Sequence, residues 1–164
     1  MSDKIRQRIV EVLLESLSAV RGVVSTTLVG SLVDQDDFSS ISDIDTVVVC
    51  EKLDKTIYNQ CLSAVMALDG KQLGLPGYSV RVNPTFGPLK LDTAGQVIVH
   101  LMVYDLAGHR RHVIKSPFTC LDWERSGVFH GKPLASVCPV LGLQPRDFVE
   151  ARRGLRNYID DLEN

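Results

Sequence analysis

Asp43 and Asp45 flank Ile44 in the stretch "SDIDTVVV", residues 42–49, at the mouth of an apolar run. In an extended strand alternate side chains share a face, so the two carboxylates project together while Ile44 faces the other way. Like charges that close repel, and a valine-rich strand adds a desolvation cost unless a cation or hydrogen-bond donors compensate. A divalent metal is one such compensation. Hard oxygen ligands suit Mg2+ or Mn2+, and Mg2+ is usually held by one or two carboxylates together with substrate phosphates. Upstream, Gly30 and Ser31 end another apolar run, 26–29. They could offer an unobstructed backbone N–H and a hydroxyl to a phosphate, especially if a short helix begins at Leu32. The local alternative needs no ligand: Asp43 caps a turn through an Asx hydrogen bond, and Asp45 lies exposed at a strand end.

Val29-Gly30-Ser31, eleven spacer residues and Asp43-Ile44-Asp45 together resemble the signature of the nucleotidyltransferase superfamily of the DNA polymerase beta type. That signature is an apolar residue, Gly, Gly or Ser, a short spacer, then Asp-apolar-Asp. The resemblance covers the first half of the chain by motif and the rest by element order alone. It implies a mixed-sheet α/β core in which Gly30 and Ser31 hold the phosphates of a nucleoside triphosphate. It also implies that Asp43 and Asp45 are the catalytic residues and bind Mg2+ (or Mn2+). These would promote in-line attack of an acceptor hydroxyl on the α-phosphate, with pyrophosphate leaving.

Members of that superfamily usually add a third carboxylate from a later strand. Here the next strand candidate, 78–82, brings Arg81 and Asn83 to one face and no acid; Asn83 offers a neutral oxygen but neither charge nor a place for a proton. Asp92 and Asp105 are the replacement acids. His100, inside the run 97–104, is a further candidate for the cleft, or else a core histidine bonded to a neighbouring segment. The departure keeps a second reading open, the same fold retained as a catalytically inactive nucleotide-binding or protein-interaction module. The acceptor, whether small molecule, protein or RNA, is not chosen by fold alone.

Several elements must position these residues. Ile5, Ile9, Val10, Val12, Leu13 and Leu17 recur at helical spacing and predict a first helix, begun by Ser2 or Asp3 and ended by Gly22. Runs 26–29 and 44–50 are β-type. Ile57, Cys61, Leu62, Val65 and Leu68 predict a helix over 54–68; strands are expected at 78–82 and 97–104, and a final amphipathic helix at 146–162. The connection between the first two strands is too short for a regular parallel crossover, so a mixed sheet in an α/β or α+β domain is expected. From Asp105 the chain reads as turn-rich and polar, with Trp123 and Phe129 as packing residues. The expected organisation is a core over 1–115 and a C-terminal extension over 116–164 packed on the same domain.

Other motifs are weak. Asp34, Asp36 and Asp37 lack the glycine and distal glutamate of a calcium loop, and Gly70-Lys71 lacks the phosphate-loop pattern. Lys90, Arg110, Arg111 and Lys115 are candidates for phosphate contact if they line the cleft, and a solvated face otherwise.

The 164 residues suffice for one domain with a sizeable core. Eighteen Lys and Arg against twenty Asp and Glu give a net charge of −2, so no global field favours nucleic acid or an anionic membrane. The four cysteines show no C-x-x-C pair and read as reduced. No run approaches the ~18 apolar residues of a membrane span, and a cytoplasmic location is the expectation.

Overall fold

The structure, a computed structural model, describes residues 3–34, 43–84 and 95–163. Helix α1 (Asp3–Ser18) buries Ile9, Val12, Leu13 and Leu17, which fall on one stripe at spacings of three, four and eight. Gly22, at φ +90°, turns the chain into strand β1 (Val23–Val29). A single helical turn, α2 (Ser31–Asp34), follows β1, and strand β2 (Ile44–Cys50) runs back antiparallel to it. The expected antiparallel start of a mixed sheet is therefore present.

Helix α3 (Lys55–Met66) is capped by Asp54, whose Oδ1 accepts the Ile57 N–H at 2.9 Å. It leads to strand β3 (Ser79–Val82), and strand β4 (Gln96–Asp105) then lies between β3 and β2, parallel to both. The remaining elements are α4 (Leu106–Lys115), α5 (Pro117–Trp123), strand β5 (Phe129–Gly131), α6 (Leu134–Val137) and α7 (Pro145–Glu163). Strand β5 pairs antiparallel with β1, which completes a five-stranded mixed sheet in the order β3-β4-β2-β1-β5. The molecule is an α/β protein with helices flanking this sheet.

Alternation along β2 divides its side chains between two apolar layers. Ile44, Val48 and Cys50 join Leu28, Val99, Leu101 and the buried stripe of α1, together with Cys61 and Val65 of α3. Val47 and Val49 face the other way, with Val29, and meet Val113 of α4, Cys120 and Trp123 of α5 and Leu134 of α6. Both faces of the central strand are thus covered, which accounts for its run of valines. All four cysteines are free, and Cys50, Cys61 and Cys120 are buried.

The stretch expected to be turn-rich after Asp105 instead holds helices α4 and α5. The apolar pattern of α4 misleads because Leu106 and Ile114 are exposed while His109, at 1% exposure, shares the buried face with Val113. Trp123 is buried as expected, whereas Phe129 sits on the edge strand and is exposed. Among the described residues no helix is long and apolar enough to cross a membrane.

Candidate metal centre

Strand register brings three side chains to one point. Asp45 is paired with Val29 on the β1 side and with His100 on the β4 side. Because Ile44 points into the apolar layer under α1 and α3, Asp43 and Asp45 project from the opposite face, where His100 also projects, beyond the cover provided by α4 and α5. The Nδ1 atom of His100 lies 3.1 Å from Asp43 Oδ2 and 3.3 Å from Asp45 Oδ1. Ionised carboxylates only accept hydrogen bonds, so an imidazole that bonds them must donate from Nδ1–H.

One ligand atom from each of the three residues lies within 4.8 Å of the others, and among the described residues this is the one such grouping of His, Cys, Asp and Glu. All three residues are half-buried. Burial holds the Asp45 carboxyl above its ordinary pKa, the nearby Asp43 adds to this, and His100 opposes it by charge and hydrogen bond. A carboxylate held half out of water beside a second one gains from any cation placed between them.

Gly30 closes the site from the β1 side. Its φ is +73°, and a Cβ on this residue would stand 2.7 Å from Asp45 Oδ2. The glycine is therefore required twice, by its backbone conformation and by the carboxylate lying against it. Ser31 follows Gly30 and begins α2. A cavity of about 260 Å³ adjoins them, lined by Val29, Gly30, Val33, Asp122, Arg125 and Ser126. The last three come from the C-terminal part of the chain, and Ser126 Oγ donates to the Leu28 carbonyl at 2.6 Å. No local motif marked Arg125 or Ser126; only the packing of α5 on β1 brings them here.

The other expected residues fall elsewhere. Asn83, at φ +46°, accepts the Leu101 N–H on Oδ1 at 2.8 Å and donates from Nδ2 to the Leu101 carbonyl at 3.0 Å. Its amide is thus spent on pinning the end of β3 to β4 and is not offered to the carboxylates. Asp105 caps α4 by accepting the Gly108 N–H, and it pairs with Cys50 at the far end of β2 from Asp45. Asp36, Asp37, Lys90 and Asp92 lie outside the described residues. Arg110 and Arg111 are exposed on α4, and Lys115 lines a groove of about 680 Å³ between α5 and α7. The third group beside the two aspartates is His100.

No family model, no curated protein and no solved structure matches this chain.

Proposed function

We propose that this protein binds a nucleoside triphosphate with a divalent cation and transfers the nucleotidyl group to an acceptor hydroxyl. The observation that carries the reading is the meeting of Asp43, Asp45 and His100 beside Gly30, on which a Cβ would stand 2.7 Å from Asp45 Oδ2. In this reading Asp43 and Asp45 hold the cation. The cation, once bound, supplies positive charge to the phosphate oxygens as negative charge develops on them. Gly30 lets the phosphate chain approach the end of β1 without a side chain in its path, and Ser31 adds a hydroxyl there. The acceptor oxygen forms a bond to the α-phosphorus as the bond to pyrophosphate breaks, and the hydroxyl proton passes to water.

The test is thermal unfolding with each nucleoside triphosphate, with and without Mg2+ or Mn2+, for the wild type and Asp45→Asn. A ligand that binds only the native state adds about 2.7 kcal/mol at a hundredfold excess over Kd. The expected result is a rise in Tm of several degrees that needs both metal and nucleotide and is lost in the variant. No shift with any combination would refute the reading.

A second reading is favoured by one specific observation. Among the described residues no third carboxylate joins Asp43 and Asp45 within 4.8 Å; Asp105 caps α4, and the Asn83 amide is engaged with Leu101. A fold that binds nucleotide without transferring it is consistent with that arrangement. Metal-dependent release of pyrophosphate, with any acceptor, would eliminate it.

A further inference from the structure

We infer that His100 is itself a metal ligand through Nδ1, and that it tunes the centre to a first-row transition cation such as Mn2+ or Co2+ in preference to Mg2+. The inference rests on the reading of Asp43 and Asp45 as metal ligands and goes beyond it in naming the third donor and its consequence.

Geometry is the first support. Two ligand atoms at right angles about an ion, each about 2.1 Å from it, lie roughly 3 Å apart. His100 Nδ1 is 3.1 Å from one carboxylate oxygen and 3.3 Å from the other. Nδ1 therefore already stands at the spacing of a neighbouring ligand from each carboxylate oxygen, and one ligand atom of each of the three residues lies within 4.8 Å of the others. The proton that Nδ1 shares with the carboxylates stands where a cation would bind. A cation taking the place of that proton requires Nδ1 to be unprotonated. The neutral ring then carries its one proton on Nε2, which is buried and has no hydrogen-bond partner among the described residues; no strand need move.

The second support is how the donor is held. His100 lies within β4, paired directly with Asp45, and its neighbours Val99 and Leu101 are both buried. Asn83 clamps Leu101 through both its N–H and its carbonyl, which fixes the backbone adjacent to the imidazole. Placement of the residue's backbone is thus set by the sheet, and the ring is oriented by its contacts to the two carboxylates.

Donor chemistry then decides the preference. Mg2+ favours hard oxygen ligands and gives up water reluctantly, whereas imidazole nitrogen suits transition ions, with affinity rising from Mn2+ to Co2+ and beyond. Two carboxylates and one imidazole would bind a transition ion through three protein atoms, with the remaining positions open to water or phosphate oxygens. Three carboxylates would favour Mg2+ more strongly, and the presence of His100 removes that advantage.

The test uses the full chain and metal salts alone, without nucleotide. Calorimetric titration of the wild type with MnCl2, CoCl2 and MgCl2 is expected to give at least tenfold tighter binding of Mn2+ and Co2+ than of Mg2+. The substitution His100→Asp is expected to narrow the ratio by about tenfold. Pulsed EPR of the Mn2+-loaded wild type is expected to show coupling to a 14N nucleus, which needs no variant and so survives a misfolded His100→Asp. Equal affinities, an unchanged ratio in a folded His100→Asp, no 14N coupling, or no metal binding would each overturn the inference. Selective metal binding without any nucleotide-dependent stabilisation would leave this inference standing while the proposed function fails; equal nucleotide-linked stabilisation by Mg2+ and Mn2+ would do the reverse.

Discussion

Gly30 shows how closely one residue can be tied to the candidate centre. An alanine there must accept a left-handed backbone conformation, at a cost of about 1–2 kcal/mol. Its methyl group also meets Asp45 Oδ2 at 2.7 Å. The obstructing atom is the far end of a side chain, so the carboxylate can rotate away and spare the fold a severe clash. That rotation takes Asp45 from its place beside His100. Gly30→Ala is therefore expected to lower Tm by a few degrees and to weaken Mn2+ binding by tenfold or more, as read by thermal unfolding and calorimetry on the same sample. A lowered Tm with undiminished metal affinity would show that the glycine serves the turn alone. The shared face of Asp43 and Asp45 was legible from alternation, and Gly30 was singled out by its place at the end of the preceding apolar run. His100 was visible in the sequence as a candidate, but its partners were not, because the parallel register of β2 and β4 depends on the crossover through α3 and β3 rather than on any local pattern.

At the scale of elements, α4 and α5 carry a different physical signature. The Tyr104 ring lies 5.9 Å from that of His109 and 5.4 Å from that of His112, and His112 stacks on Trp123 at 5.1 Å. His109 is buried, and neither of its ring nitrogens has a hydrogen-bond partner among the described residues. Burial lowers the pKa of His109, with His112 adding to it, and burial alone lowers that of His112. In the unfolded chain both titrate near the ordinary value of about 6.5. Below that pH the unfolded state binds more protons than the folded state, so stability falls as the solution is acidified. It is full at pH 7 and above, and it declines from about pH 6.5 down through the depressed folded-state values. Denaturant melts at pH 7.5, 6.5 and 5.5 should show this decline, and a folded His109→Leu variant should show a shallower one. An unchanged slope in that variant would mean that the histidines are not its source. The same residues explain why α4 escaped the sequence reading. A helix whose buried stripe is built from His109 and Val113, while Leu106 and Ile114 face solvent, presents the inverse of an amphipathic pattern.

Across the whole molecule, the central strands were the most legible part, since β2 is buried on both faces and reads as a nearly unbroken apolar run. The mixed sheet also followed from the connection between the first two strands, residues 30–43, which reads as too short for a regular parallel crossover. What was not legible is long-range: β5 joins the sheet edge beside β1, and Arg125 and Ser126 arrive next to Gly30 from about a hundred residues away. Asn83 was expected to face the carboxylates and is held by Leu101 instead, a contact that depends on where β3 ends against β4. The candidate centre is thus assembled by the fold as a whole from a β1 turn, the start of β2 and the middle of β4.

The most direct measurement is a crystal structure of the protein with Mn2+ and a non-hydrolysable nucleoside triphosphate, with data recorded for anomalous scattering from manganese. The account predicts an anomalous peak about 2.0–2.3 Å from a carboxylate oxygen of Asp43, one of Asp45 and Nδ1 of His100, with the triphosphate lying over Gly30 and Ser31. Manganese and nucleotide bound elsewhere, or neither bound in a crystal that leaves the face of Asp45 open to solvent, would contradict it.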